Sequence, residues 1–178
     1  MLKIFIVLVL SMNLSFAEQL SGNFILKESK INYLVKYLIK KADGSSIGAK
    51  GKGECKDSCQ FLVAAPIKSF ESKDANRDLN MLSTVKADKY PLVSAMIKTS
   101  KEIADGKMLA DLDIDFVGIK KSYSKIPFKF QKTETGFKVE GSFDLLLDQH
   151  QVVKPSLLGV DIENAVPIEI SANFEAVK

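Results

Sequence analysis

Hydrophobic and polar residues alternate along most of the chain with the period of two that is typical of half-buried β-strands. The final stretch is the clearest, because Val166, Ile168 and Ile170 fall on one side and Pro167 and Glu169 on the other. Similar alternation, or a strand-like composition, covers 23–27, 31–40, 47–55, 60–70, 92–100, 111–116, 125–130 and 137–147. The pattern predicts about eight or nine antiparallel strands.

Turns and one helix interrupt the strands. Turns are expected where Gly, Asp, Ser and Thr cluster, at 42–45, 104–106 and 134–136. Leu79, Leu82 and Val85 recur at helical spacing after a run of N-cap residues. They predict a short helix over about 74–85, which ends before Pro91 because proline resists helix continuation. Residues 155–163 are predicted to form a longer loop before the final strand.

A sheet of this size has an apolar face, which it can hide by closing into a barrel or by folding into a sandwich. An eight-stranded barrel encloses a space that side chains fill or that holds one small ligand. Ala65, Ala95, Gly141, Ala172 and Ala176 are small residues on the predicted inner face, so a filled core and an apolar cavity both stay open. The larger candidate lining residues are Tyr33, Val35, Tyr37, Phe61, Val63, Ile97, Phe116, Phe128, Phe130, Phe143 and Ile170.

Residues 1–17 resemble a secretory signal peptide. Lys3 gives the positive start, Ile4–Leu10 is unbroken and apolar, and Ser15 and Ala17 are the small residues that a signal peptidase reads. An uncleaved anchor is the alternative, although the apolar run is shorter than the ~20 residues of a spanning helix. Cleavage would leave residues 18–178 as one barrel domain, which we expect to be periplasmic or secreted.

The two cysteines, Cys55 and Cys59, lie between two predicted strands. In an oxidising compartment such a pair is expected to form a disulfide, and a short hairpin can bring the two residues together. A redox or metal-binding role is the alternative. It is disfavoured because the spacing is C-x-x-x-C in a turn rather than C-x-x-C at the start of a helix.

Composition and charge exclude several classes of function. The 178 residues carry a net charge of +3, which is too balanced for a dedicated nucleic-acid binder. One His and two Cys do not suffice for a His-rich or four-cysteine metal site. Asp111, Asp113 and Asp115 lack the Gly and Glu positions of a calcium-binding loop. We therefore predict no metal and no cofactor.

Three polar residues are candidates for contact with a ligand's head group: Arg77, Asp78 and His150. Arg77 could bind a phosphate through its guanidinium, or form a structural ion pair with Asp78. His150 could face a head group or bind a metal, or it could simply be solvated in its loop. No nucleophile is seen that would complete a catalytic triad with His150, so we predict no catalytic residue and no enzyme.

Several motifs together resemble the YceI-like family. They are the stretch 67–72, Asn76-Arg77-Asp78, Lys89-Tyr90-Pro91, and the strand-like runs 110–118, 139–143 and 166–174. The resemblance spans nearly the whole of residues 18–178. It implies an all-β fold: an extended, antiparallel, eight-stranded lipocalin-like β-barrel with a short helix packed beside it.

The same resemblance implies a function. The family is similar to exported carriers of polyisoprenoids, so the expected partner is a long-chain isoprenoid of quinone or polyprenyl type, or another apolar lipid, held for transport or storage. The alternatives are an enzyme of isoprenoid or quinone metabolism that uses His150 and Arg77 at the barrel mouth, and a stress-response scaffold without ligand.

Contacts beyond the ligand remain open in the sequence. Six lysines could touch an anionic membrane surface transiently, although a solvated outer face explains them as well. They are Lys120, Lys121, Lys125, Lys129, Lys132 and Lys138. The sequence also leaves the oligomeric state open, a homodimer included.

Overall fold

The computed structural model describes residues 18–38, 40–157 and 159–177, so the predicted signal peptide lies outside the described residues. The helix is α1 (Ala75–Thr84), and 3-10 turns cover Ile67–Ser69 and Leu147–His150. The strands are β1 (Glu18–Gln19), β2 (Gly22–Tyr37), β3 (Lys40–Ser46), β4 (Lys50–Cys55), β5 (Cys59–Pro66), β6 (Leu92–Thr99), β7 (Glu102–Ile103), β8 (Lys107–Phe116), β9 (Ile119–Lys132), β10 (Gly136–Leu146), β11 (Ser156–Leu157), β12 (Val160–Asp161) and β13 (Ala165–Ala176).

Eight antiparallel strands form a closed ring. Around the barrel the order is β2, β4, β5, β6, β8, β9, β10 and β13, and pairing of β13 with β2 completes the ring. Strand β3 lies outside this order and pairs with the second half of β2. The predicted all-β, eight-stranded barrel is thereby confirmed.

The two ends of the barrel differ. At the closed end, the turns after β4 and β9 surround a cluster of phenylalanine rings. The centroids of Phe137 and Phe174 lie 5.1 Å apart, and those of Phe61 and Phe174 lie 5.0 Å apart. Rings at such separations gain stacking and edge contacts beyond their buried area. At the open end lie the β2–β3 turn, α1 and the connection from β10 to β13.

Two β-bulges, one in β2 and one in β9, change which residues face inward. In β9, Ile126 pairs with Ala110 and Tyr123 pairs with Leu112, so β9 has one residue more than β8 across this step. Lys125 in the bulge has a φ of 55°, and its N–H donates to the Asp111 carboxylate at 2.8 Å. A bulge of this kind lets inward residues stand three apart instead of two.

Helix α1 closes part of the open end. Asp74 caps its N-terminus by accepting a hydrogen bond from the backbone N–H of Arg77 at 3.0 Å, and Val85 follows its last residue. The predicted helix over 74–85 is confirmed. Met81 and Leu82 pack on a small cluster of Ile67, Val85 and Ala87. Among the described residues, no helix is both long and apolar enough to cross a membrane.

Some predicted boundaries were wrong. The turn predicted at 42–45 lies inside β3, and the chain reverses instead between Tyr37 and Lys40, which pair with each other. Gly44 is needed in the strand because a Cβ atom there would lie 2.5 Å from the ring of Tyr33. The separate strands predicted at 23–27 and 31–40 form one strand, β2, which continues through a bulge. The loop predicted at 155–163 contains the short pair β11 and β12.

Candidate functional site

The closed end of the barrel is covalently fixed. Cys55 and Cys59 pair directly across the β4–β5 hairpin and form the predicted disulfide. Both residues are buried, with exposures of 2% and 0%. The disulfide therefore belongs to the packed end of the core, next to the phenylalanine cluster.

The other half of the barrel interior is less tightly filled. A side chain that points into a closed barrel keeps exposed surface only if open space lies beside it, whereas a filled core would bury it. Many inward apolar side chains toward the open end are only half-buried while still contacting the core. They are Ile31, Tyr33, Val35, Val63, Val93, Ala95, Ile97, Phe116, Tyr123, Ile126, Phe143, Ile168 and Ile170. We call this set the lumen residues.

The residues predicted to line the interior divide between the two halves. Seven of them are lumen residues: Tyr33, Val35, Val63, Ile97, Phe116, Phe143 and Ile170. Phe61, Phe128 and Phe130 are instead buried in the core, with exposures of 3%, 5% and 7%. Tyr37 is half-buried at the end of β2.

Small residues have two roles in the interior. Ala95 is half-buried and faces Val63 across one strand pair and Ile114 across the other, so its single methyl group fills little of the open half. Gly141 serves close packing instead, because a Cβ atom there would lie 2.4 Å from the ring of Phe128. Ala176, also predicted to face inward, is instead exposed at the end of β13. The predicted small inner residues therefore do not all enlarge the lumen.

Polar groups stand at the rim where α1 meets the lumen. The ring of Tyr33 lies 6.1 Å from that of Phe70, and burial together with the charge of Asp78 raises the Tyr33 pKa. Arg77 forms an ion pair with Asp74 at 3.5 Å. Asp78 accepts a hydrogen bond from the backbone N–H of Ser72 at 2.9 Å. The ion pair predicted between Arg77 and Asp78 was wrong, because Arg77 pairs with Asp74 and the Asp78 carboxylate accepts from Ser72 instead.

His150 lies apart from these groups, in the 3-10 turn after β10. It is fully buried, and its Nδ1 is 2.9 Å from the carbonyl oxygen of Ile119. Its Nε2 is 3.2 Å from the hydroxyl of Tyr123. Burial lowers the pKa of His150. The ring thus bridges β9 and the start of the connection to β13, and it is not solvated.

Sequence reasoning missed several lumen residues, above all Tyr123. Tyr123 stands three residues before Ile126, so simple alternation places it on the outside. The bulge at Lys125 turns it inward. The one available signal was Asp111 opposite the bulge, since a carboxylate there can accept the unpaired N–H of Lys125.

Neither a protein-family model nor a curated protein matches the sequence. A polyisoprenoid binding domain from Saccharophagus degradans implicated in plant cell wall breakdown is similar in structure, with a TM-score of 0.71 and 12% identity over 86% of this chain and 98% of its own. Burkholderia cenocepacia BcnA has a TM-score of 0.66 and 13% identity over 83% of this chain and 96% of its own. A Campylobacter jejuni YCEI protein has a TM-score of 0.59 and 18% identity over 78% of this chain and 88% of its own.

At these identities the likeness concerns the fold. It extends over most of each chain and includes the barrel that surrounds the lumen residues. The chain therefore has the fold of the YceI-like proteins, as its motifs indicate.

Proposed function

We propose that this chain is an exported YceI-like protein that holds a long-chain isoprenoid, or a similar amphiphile, in the open half of its barrel for transport or storage. The observation that carries the proposal is the set of half-buried lumen residues inside a closed eight-stranded ring. Open apolar space is costly unless something fills it, because its lining loses dispersion contacts.

The chemistry of the lining selects the ligand class. Branched aliphatic and aromatic side chains dominate it, and Tyr33 and Tyr123 add hydroxyl groups. A long isoprenoid tail gains about 0.8 kcal/mol for each methylene that it buries. The cost of ordering the chain reduces this gain, so the sum over carbons is an upper bound.

The rim around Tyr33 suits the polar end of such a ligand. Arg77 and Asp78 stand at the start of α1, and their charges act on the Tyr33 hydroxyl. A quinone carbonyl or a phosphate could accept from Arg77 if Asp74 releases it. His150 has a structural role in this proposal, because both of its nitrogens are engaged within the protein.

Two features support export. The apolar segment at residues 4–10 precedes a signal-like cleavage site. The Cys55–Cys59 disulfide fits an oxidising compartment. The proposed ligand class has separate support, since one similar solved structure is a polyisoprenoid binding domain.

The first test is extraction of the natural ligand. Protein isolated from its own host is weighed by native mass spectrometry, extracted with organic solvent and weighed again. We expect a mass loss that matches an isoprenoid or long-chain lipid recovered in the extract. Protein that is reproducibly free of ligand and fails to bind quinones and polyprenols would exclude the carrier role.

The second test fills the lumen. Ala95→Phe places a ring into the open half, whereas Ala64→Phe adds the same ring to the outer face of the neighbouring strand. We expect Ala95→Phe to lower quinone or polyprenol binding at least tenfold and Ala64→Phe to leave it unchanged. Equal binding by both variants, with thermal melting showing both folded, would contradict the proposed site.

A further inference from the structure

The β2–β3 turn at the open end is built from unusual residues. Tyr37 pairs with Lys40 across the hairpin, and Leu38 directly follows Tyr37. Two-residue hairpin loops favour Asn-Gly or Asp-Gly, because the backbone there needs positive φ. Leu38 has a φ of 50°, a conformation that bulky residues rarely adopt.

The leucine is also exposed. Leu38 keeps 60% of its surface accessible although it is large and apolar. Neither turn propensity nor core packing therefore explains a leucine at this position. An observed backbone outlier of this kind is a pointer to function.

The residues beside the turn have a matching chemistry. The sequence from Lys36 to Lys41 reads Lys-Tyr-Leu-Ile-Lys-Lys, with an aromatic and aliphatic centre and lysines on both sides. Lys40 and Lys41 are exposed, while Lys36 makes an ion pair with Glu163 at 4.0 Å. Tyrosine favours the membrane interface, leucine the acyl region, and lysine the anionic head groups.

The position of the turn joins it to the lumen. Tyr37 ends the strand that also carries the lumen residues Ile31, Tyr33 and Val35. Other segments at the same end expose apolar side chains too, with Leu79 of α1 64% accessible and Val153 79% accessible. If this turn penetrated a bilayer, the barrel mouth would lie on the bilayer surface.

We propose that the β2–β3 turn, with Leu38 at its tip and Lys40 and Lys41 beside it, docks the open end of the barrel on an anionic lipid membrane. The inference rests on the proposed function, because it supplies the step at which a lipid would enter or leave. It places the membrane contact at the barrel mouth rather than on the lysines of β9 and β10.

The test uses vesicles without any isoprenoid, so that it reports docking alone. Exported protein, with its N-terminus checked by mass, is floated with vesicles of phosphatidylcholine, with and without phosphatidylglycerol. We expect binding that needs phosphatidylglycerol and weakens in high salt. Absence of binding to both kinds of vesicle would overturn the proposal.

Two variants and one control locate the contact. Leu38→Asn removes the apolar tip and suits a left-handed turn, so the fold is kept. We expect this variant, and separately the double change Lys40→Gln and Lys41→Gln, to lose about tenfold in vesicle binding. Leu109→Asn is the matched control, because Leu109 is 59% exposed on the outer face of β8.

Each result has one meaning. Loss of vesicle binding in the turn variants but not in Leu109→Asn supports the proposal, and equal binding by all of them overturns it. Isoprenoid extraction from the same protein is measured separately. A chain that docks through the turn but carries no lipid would refute the carrier role and leave the docking surface intact.

Discussion

The hydroxyl of Tyr123 donates a hydrogen bond to Nε2 of His150 across 3.2 Å. The direction follows from the neighbours. The carbonyl of Ile119 can only accept, so Nδ1 of His150 carries the proton and Nε2 is left as an acceptor. The Tyr123 oxygen in turn accepts from the backbone N–H of Leu146 at 3.3 Å. Every polar group in this buried chain is satisfied only while His150 is neutral.

Acid should therefore destabilise the protein through His150. Its pKa is lowered in the folded state by burial, while the unfolded value is about 6.5. The unfolded chain then binds more protons, so stability is full above pH ~6.5 and falls as the pH drops below it, by up to about 1.4 kcal/mol per pH unit. Urea unfolding between about pH 7.5 and 5.5 measures this slope.

The chain offers a clean control for this effect. His150 is the only histidine in the sequence, and the carboxylates with shifted pKa values titrate lower. His150→Asn keeps a donor for the carbonyl of Ile119 and removes the titration. This variant should be less stable than the wild type at neutral pH. Its free energy of unfolding should change little across this pH range. A variant with the wild-type slope would show that other groups cause it.

Tyr123→Phe should destabilise the folded chain at neutral pH. The change leaves Nε2 of His150 and the N–H of Leu146 without their partner, and a buried unsatisfied group costs about 1–3 kcal/mol. Chemical unfolding at pH ~7.5 gives the difference. In a His150→Asn background the same change should cost less, and a cost that is simply additive would mean that the two side chains are not coupled.

Replacing the two glycines of β4 by alanine should lower the free energy of unfolding by different amounts. A Cβ atom at Gly53 would lie 2.1 Å from the ring of Phe61 and 2.6 Å from the backbone oxygen of Gln60. At Gly51 the nearest atom, on Val63, lies 2.9 Å away. We expect Gly53→Ala to cost about 1–3 kcal/mol and Gly51→Ala less, by urea unfolding. The reverse order would contradict the packing at the closed end.

Loss of the disulfide should lower stability by about 2 kcal/mol, the chain-entropy value for so short a loop. The double change Cys55→Ala and Cys59→Ala tests this, since alanine is small and apolar enough for the buried sites. Urea midpoints with and without reductant provide the control. Reductant can cleave the disulfide once the wild type unfolds, so the wild-type urea midpoint should fall. The midpoint of the double variant should not change.

Much of the fold could be predicted from the sequence because its alternation is regular. The helix over Ala75–Thr84, the last strand and the barrel class follow from periodicity, capping residues and motif order. The failures occur where local chemistry gives way to tertiary contact. The residues at 42–45 have turn chemistry, yet Gly44 is in the strand to accommodate Tyr33.

The candidate site was harder to predict for related reasons. Alternation identifies the inner face but does not say which inner residues are packed, so Phe61, Phe128 and Phe130 could not be separated from the lumen residues. The bulge in β9 shifts the alternation of inward and outward side chains, so Tyr123 faces inward against the simple pattern. The β2–β3 turn was missed because Leu38 lacks the chemistry of a turn, which is the property that makes it a candidate membrane contact.

The contrast between the two ends of the barrel sets how the molecule opens. Local unfolding needs least free energy where apolar contacts are few, and most where a core is dense. Backbone amides near the stacked rings of Phe137 and Phe174 should exchange hydrogen slowly, only in global unfolding. Amides around the half-buried lumen residues should exchange faster. A bound molecule could then enter and leave through fluctuations of one end, on a timescale set by that end alone, while the rest of the ring stays folded.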